Sequence, residues 1–464
     1  MLHHFSTLQV IILAAGKGTR MASSQPKVLH RVLGKSMLEH VLHTAEDLQP
    51  ESVCLVAGHG IDEVKAHIGE PENLFWAEQK EQLGTGHAVL QVEPLTSIAD
   101  LALIICGDTP LLTSNTLANL VKSHQKSKAT VSVLSAIVDT PKGYGRIVRD
   151  DKGNVSSIVE EKDATEKQRN IQEVSSGIFC VNRDALFKYL HQVGNSNAQG
   201  EYYLPDILPL ALADNQVVQA TIMDNSEEML GINDRCQLAQ AENIMQARIL
   251  REWQNKGVTI EQAETVRIEA SVNIGMDCTI KAGTQLLGST HLGDGCIVGP
   301  YAVLQNSWLA DDITVAPFSH LEETSIGDQA AVGPFARLRP GARLDEKVKI
   351  GNFVEVKQSV LGKGSKVNHL SYIGDTMMGE NCNIGAGTIT CNYDGANKHQ
   401  TIIGDGVFVG SDTKLVAPVQ VGSGATIGAG SIITKQVQQD GLTLSARPEQ
   451  RHVKNWIRPK KGSQ

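Results

Sequence analysis

The sequence predicts an α/β Rossmann-like domain followed by a left-handed parallel β-helix of hexapeptide repeats. Three observations lead there. Short apolar runs alternate with amphipathic ones from Val10 to about Met223, an aliphatic side chain then recurs at a six-residue period over much of the remainder, and a segment with helical spacing joins the two regions. A chain of 464 residues exceeds one typical core, so at least two domains are expected. The pattern divides them as 1–234, a linker helix over 235–256, and 257–464 with a C-terminal tail.

The first run, "VIIL" from Val10, reads as a buried strand, and Gly16 and Gly18 then let the backbone turn sharply and expose N–H groups. "MLEHVLHTAEDL", "SVCLVAG", "IDEVKAHI", "LALIICGD" and "SNTLANLVKSH" continue the alternation of a parallel sheet with helical crossovers. Ligands in such sheets bind at the carboxyl ends of strands, where the loop after Leu13 and the one after Cys106 both belong. Residues 143–163 interrupt the alternation with a hairpin turning at 151–154, a candidate substrate lid or subdomain. Leu238, Ala241, Met245, Ile249 and Trp253 then recur at helical intervals, and Gly257 supplies a stop.

Beyond the helix Ile274, Ile280, Leu286, Leu292, Val298 and Leu304 hold a strict period of six, which neither an α-helix nor an alternating strand produces. The register resumes at Ile326, Val332, Leu338, Leu344, Ile350 and Val356, and again at Ile403, Val409, Leu415, Val421, Ile427 and Ile433. A triangular coil built from such hexads buries its aliphatics only against the next coil, so stability accumulates by stacking. Solenoids of this kind are left-handed, an exception to the usual crossover rule. Shorter spacings at Leu361 and Met378 are slips in the pattern, and residues 390–401 interrupt it altogether. That interruption reads either as a tolerated surface insertion or as a projecting loop whose Asn392, Tyr393 and Asp394 meet a ligand.

The formal charge of -9 argues against non-specific nucleic-acid binding, which needs basic surface. Cysteines at 54, 106, 180, 236, 278, 296, 382 and 391 form no CxxC pair and no Cys/His metal spacing, so a reduced, cytoplasmic setting is expected. The apolar start lacks a basic flank and leads into the glycine turn, so it reads as a strand and not a signal peptide. No window is long and apolar enough to span a membrane.

The glycine loop suits an anionic ligand, yet its spacing fits neither GxxxxGK[ST] nor GxGxxG. Arg20 and Lys27 follow it with fixed positive charge. Asp108, in "CGDTP", stands at a strand's end and fits either a ligand or an N-cap of the turn opened by Thr109 and Pro110. The glycines of "EQLGTGHA" let backbone approach a flat ligand, or simply form the loop before a helix. By pattern alone, a lone His369 in a solenoid is more often a surface residue.

"LAAGKGTRM", with "PK" at 26–27, resembles the signature of sugar-nucleotide pyrophosphorylases. Joined to hexads carrying "GNFVEVK", "HLSYIGD" and "NIGAGTITCNYDG", the chain resembles, over nearly its whole length, the bacterial bifunctional N-acetylglucosamine-1-phosphate uridylyltransferase/glucosamine-1-phosphate N-acetyltransferase family. The resemblance implies that the first domain is a nucleotidyltransferase whose loop holds UTP, with Arg20 and Lys27 neutralising phosphate charge and Asp108 and Asn233 as ligands of Mg2+. It also implies that Leu13, Ala14, Gly16, Gln79, Gly84, Thr85, Gly107, Gly145 and Glu160 contact nucleotide or sugar. Ser175, in "VSSG", stands where the family carries Asn, and a hydroxyl offers one donor where an amide offers two.

For the second domain the resemblance implies acyl transfer from acetyl-CoA to the amine of glucosamine 1-phosphate. His369 matches the base, with Glu355 orienting or polarising its imidazole. Arg339 and Lys357 match a phosphate clamp, Tyr372 and Asn383 match sugar contacts, and Ala386, Asn392, Tyr393, Ser411 and Ala429 match acetyl-CoA contacts. The family's cofactor-binding arginine directly follows a serine, whereas here Ala446 intervenes before Arg447, so Arg447 or Arg451 takes that place. A homotrimer assembled through the β-helix is implied, and neither nucleic acid nor membrane insertion. The rival reading is a single-activity pyrophosphorylase with a purely structural β-helix. Against it stand Arg339, Lys357, His369, Tyr372, Asn383 and Tyr393, which a structural coil has no reason to carry.

Overall fold

A computed structural model describes residues 8–95, 99–445 and 450–458. The chain forms two compact units, Met1–Ala247 and Arg248–Gln464, and the division falls within the helix Arg235–Asn255.

In the first unit Leu8–Leu13 lies between Leu101–Cys106 and Ser52–Ala57, parallel to both, and Leu74–Glu78 extends that side. Val10, Ile12, Leu103 and Ile105 enter one core while Ile11, Ala102 and Ile104 enter another on the opposite face. Helices covering both faces explain why these strands read as continuous apolar runs. Ser36 and Glu39 close a reciprocal capping box that starts the helix Met37–Glu46. No helix among the described residues is long and apolar enough to cross a membrane.

The expectation of a parallel sheet needs one correction. Glu173–Asn182 runs antiparallel to both neighbours, Leu101–Cys106 and Val131–Ile137. The cause is the hairpin of Arg146–Arg149 and Val155–Val159, which follows Val131–Ile137. The chain leaves that strand at its carboxyl end, turns through the hairpin, and enters the next strand from the same end. The hairpin is thereby tied to the sheet where Arg146 pairs with Val174.

The second unit is a left-handed β-helix. Its strands stack into three parallel sheets of 11, 10 and 9 members among the described residues. Successive coils pair in register: Ile280 with Val298, Leu286 with Leu304, Ile274 with Leu292. Every aliphatic of the six-residue pattern is buried in one continuous core. So are Leu309, Val315 and Leu321, which fill the stretch where the sequence pattern lost its period. The lost residues come out of the corners, so the inward positions survive and the coil shortens; Ser307 and Thr324, hydrogen-bonded neighbours on adjacent coils, are 17 residues apart. Leu361 and Met378, the two slips, are buried in the same way.

Within residues 390–401 the interruption is narrower than the sequence suggests, because the strands Ile389–Cys391 and Thr401–Ile403 flank it. Asn392 is only 7% exposed and sits at the base of the loop, a correction to its expected place on the projection. Tyr393, 61% exposed, does project, and it bridges to Lys398.

The stacking makes a quantitative prediction. Leu338→Ala, at a fully buried inward position, should cost roughly 2–5 kcal/mol. Arg337→Ala, at the exposed neighbour, should stay within about 0.5 kcal/mol. Urea unfolding of both variants checks the contrast, and equal shifts would contradict the inward assignment.

Candidate active sites

Leu13 lies opposite Cys106 in the sheet, so the loops that follow them leave side by side at the carboxyl ends. Gly107 N donates to Leu13 O at 2.9 Å, and a Cβ there would stand 3.2 Å from the Ala14 Cβ. Gly18 adopts φ +61, and a Cβ on it would come within 2.6 Å of the Lys27 Cβ, so glycine is what admits Lys27 against the loop. Lys27 Nζ then reaches Asp108 Oδ2 in an ion pair and donates to Asn233 Oδ1 at 3.2 Å. Asn233, remote in sequence, is delivered because Ile232 N donates to Asp108 O at 2.9 Å. Two side-chain oxygens thus face one cationic point.

Lys27 and Asp108 line one side of a cleft of about 260 Å³. Leu13, Ala14, Gly16, Gln79, Gly84 and Thr85 line it as well. The buried Gln79 is held by donating from Nε2 to Gly84 O at 3.1 Å. Gly84 needs its φ of +111, and a Cβ on it would sit 2.6 Å from Tyr202 O. Gln82, Cys106 and Glu201 also border the cleft; Gln82 and Cys106 belong to the motifs "EQLGTGHA" and "CGDTP" without being singled out there, and nothing in the local pattern marks Glu201. Arg20 is exposed on the following turn and lies outside the lining.

Gly145, Glu160 and Ser175 gather as a second group. Ser175 N donates to Gly145 O at 2.8 Å, and a Cβ on Gly145 would stand 3.1 Å from Glu160 Oε1. Glu160 borders a hollow of about 460 Å³ with Asp163, Tyr203 and Asp206. Burial raises its carboxyl pKa, and the charges of Asp163 and Asp206 add to the rise. The Ser175 hydroxyl accepts from Gly177 N at 3.2 Å. Arg146, 1% exposed, fastens the hairpin by donating to Glu161 Oε2 at 2.7 Å.

In the second unit one corner of the β-helix carries a column of side chains, each two residues past a buried aliphatic. Asn352, His369, Ala386, Ser411 and Ala429 follow Ile350, Val367, Ile384, Val409 and Ile427. His369 is exposed, and its Nδ1 lies 3.0 Å from Asn352 Oδ1. The expected orienting carboxylate is elsewhere: Glu355 Oε1 accepts from Arg339 Nη1 at 2.8 Å. Register explains the correction, since His369 opposes Asn352 while Glu355 opposes Tyr372.

Around the next edge Lys357 Nζ stands 3.8 Å from Asp375 Oδ2, and Asn392 Nδ2 donates to Asp375 Oδ2 and, at 3.5 Å, to the Tyr372 hydroxyl. Lys398, from the loop, was absent from the sequence reading although its loop was singled out. Its pKa is lowered by the adjacent Lys357 side chain and its charge, which places the two side-chain nitrogens near each other. Asn383 opposes Lys366 on the adjoining sheet. The Tyr393 hydroxyl donates to Gly395 O at 2.6 Å. Arg447 lies outside the described residues, and Arg451 is exposed.

Cys106 offers a chemical check of the cleft. Burial, then the Asp108 charge, push its thiol up to about 12, so at pH 8 its reactive thiolate is scarce. Iodoacetamide at pH 8 should alkylate the exposed Cys236 and spare Cys106, as read by peptide mass spectrometry. Comparable labelling rates would contradict that environment.

Comparison with known proteins adds independent findings. The family described as Nucleotidyl transferase matches residues 9–257, Bacterial transferase hexapeptide (six repeats) matches 271–306, and GMPPB C-terminal domain matches 322–418. The bifunctional protein GlmU of Francisella philomiragia is 48% identical over 455 residues, 98% of this chain and 100% of its own. That of Heliobacterium modesticaldum is 48% identical over 456 residues, covering 98% and 99%. That of Legionella pneumophila, strain Lens, is 46% identical over 457 residues, again covering 98% and 99%.

Proposed function

The chain belongs to the GlmU family of bifunctional proteins, and from that membership we infer two transfer reactions. Acetyl passes from acetyl-CoA to the amine of glucosamine 1-phosphate, and UMP passes from UTP to the resulting N-acetylglucosamine 1-phosphate. The products are UDP-N-acetylglucosamine, a precursor for peptidoglycan and lipopolysaccharide, and pyrophosphate. A cytoplasmic setting accords with eight free cysteines. The observation that carries the reading is the corner column of Asn352, His369 and small residues beside the Arg339, Lys357 and Lys398 cluster, which the rival reading of a purely structural β-helix leaves without a reason.

In uridylyl transfer a phosphate oxygen of the sugar 1-phosphate attacks the α-phosphorus of UTP, and the bond to pyrophosphate breaks. No protein nucleophile is needed, so catalysis rests on positioning and charge neutralisation. Lys27 and Arg20 supply fixed positive charge, the loop at Gly16 and Gly18 supplies N–H donors, and Gly107 keeps the neighbouring turn close. Leu13, Ala14, Gln79, Gly84 and Thr85 form the nucleotide side; Gly145, Glu160 and Ser175 form the sugar side. Asp108 and Asn233 fit Mg2+, because one carboxylate and one amide oxygen already converge on the ammonium of Lys27, and this ion completes its shell with water and phosphate oxygens. Among the described residues no cluster of three or more His, Cys, Asp or Glu offers an all-protein cage. Bound there, the ion would neutralise phosphate charge.

In acetyl transfer the neutral amine attacks the thioester carbon, the C–S bond breaks, and the amine proton passes to His369 Nε2 while coenzyme A leaves as thiolate. Arg339 and Lys357 hold the sugar phosphate and Tyr372 and Asn383 the sugar. The corner groove of Ala386, Ser411 and Ala429, with Asn392 and Tyr393, receives acetyl-CoA, and Arg447 or Arg451 meets its phosphates.

A homotrimer through the β-helix completes the reading. His369 is exposed, with no wall opposite to exclude water. Beside it the same corner carries a stack of half-exposed rings, Tyr301, Phe318, Phe335 and Phe353, at centroid spacings of 5.1–5.4 Å, continued by the exposed Leu370. A second copy covering that ladder would supply the missing wall.

Three experiments test these statements. With UTP, acetyl-CoA, glucosamine 1-phosphate and Mg2+, mass spectrometry should find both products. Asp108→Ala should abolish uridylyl transfer and leave acetylation nearly intact, whereas loss of both in a folded variant would sink the two-site reading. Mixing inactive His369→Ala chains with inactive Tyr393→Ala chains under subunit exchange should restore part of the acetylation. No restoration despite proven exchange would return the β-helix to assembly alone.

A further inference from the structure

The corner that carries His369 departs from the rest of its sheet in a way the repeat does not require. The other strands of that sheet are two residues long, but Lys349–Asn352 and Lys366–His369 each have four. The extra pairing runs into the corner and sets Asn352 directly against His369. It depends on Gly351, where a Cβ would come within 1.9 Å of Asn368 O. Elsewhere in the column the neighbours are Pro300, Pro317 and Pro334 on lower coils and Ala386 on the next, none with a side chain able to hydrogen-bond an imidazole. The two long strands therefore build one specific contact, the 3.0 Å approach of His369 Nδ1 to Asn352 Oδ1.

We propose that Asn352 is the positioning residue of acetyl transfer, its side-chain carbonyl accepting the Nδ1 proton of His369 so that Nε2 carries the free lone pair toward the acceptor amine. The proposal rests on reading the second unit as the acetyltransferase. An imidazole has one donor and one acceptor nitrogen when neutral, and a fixed acceptor beside Nδ1 selects the tautomer with Nε2 basic. An amide does this without adding charge. A carboxylate in its place would favour imidazolium, which cannot accept the proton. The other charged groups near the ring have different positions or partners: Lys349 and Lys366 point outward from the same two strands, and Glu355 across the corner is taken by Arg339. Tyr372 lies on that side as well, and Asn383 on the adjoining coil is uncharged.

The test compares Asn352→Ala, Asn352→Asp and Glu355→Gln across a pH series, with thermal midpoints confirming the fold. Asn352→Ala should lower kcat of acetyl transfer about 10- to 100-fold, with KM for acetyl-CoA nearly unchanged and uridylyl transfer intact. Asn352→Asp should move the acid limb of the acetylation profile to higher pH and recover rate in alkaline buffer, a signature that a merely structural residue would not give. Unchanged kcat and an unchanged profile in the folded Asn352 variants would overturn the proposal, as would an acid limb that moves with Glu355→Gln and not with Asn352→Asp. His369→Ala separates the two levels: if it retains acetylation, the reading of the site itself fails, whatever Asn352 does.

Discussion

Register between successive coils is the constraint on which the second unit depends. Each inward aliphatic is buried because its strand pairs without offset to the strands before and after, as Ile350 does with Val332 and Val367. A slip of one residue would turn the whole inward set to solvent. The same registration creates the functional geometry, because residues equally placed on neighbouring coils become a column. Pro300, Pro317 and Pro334 give way along one corner to Asn352 and His369, then to Ala386, Ser411 and Ala429. A rigid packing solution and a graded surface are one structure seen from two sides.

The first unit reaches its site by a different physical route. Buried parallel strands deliver the loops after Leu13 and Cys106 to one end of the sheet, and one antiparallel strand returns the hairpin bearing Gly145 and Glu160 to that same end. Lys27 and Asp108 form an ion pair whose side chains are 12% and 21% exposed. A pair so placed adds little net stability once its desolvation is counted. Its significance is chemical: a cation and two side-chain oxygens are held within reach of one another by backbone contacts on either side.

An acidic protein that handles phosphorylated substrates must concentrate positive charge locally. The chain does so twice, with Lys27 and Arg20 near the glycine loop and with Arg339, Lys357 and Lys398 on the β-helix. The second cluster includes acids as well, Glu355 beside Arg339 and Asp375 beside Lys357. These partners fix the long cationic side chains, so an anion bound there would lose less ordering entropy.

By itself the sequence determined the two architectures, because the six-residue period and the alternation of apolar runs are local patterns set by what each backbone can bury. It also marked most of the cleft through the glycine loop, Lys27 and "CGDTP", since tight turns and strand ends demand particular residues nearby in the chain. Tertiary structure decided what depends on contacts between distant segments. Asn233 meets Lys27 only because residue 232 is tethered to Asp108, and Glu173–Asn182 reverses only because a hairpin precedes it. Lys398 joins Lys357 across a loop, and Asn352, not Glu355, meets His369. That last distinction turns on which residue of one coil opposes which residue of the next, a relation carried by interstrand hydrogen bonds and the corner geometry that no single hexad contains.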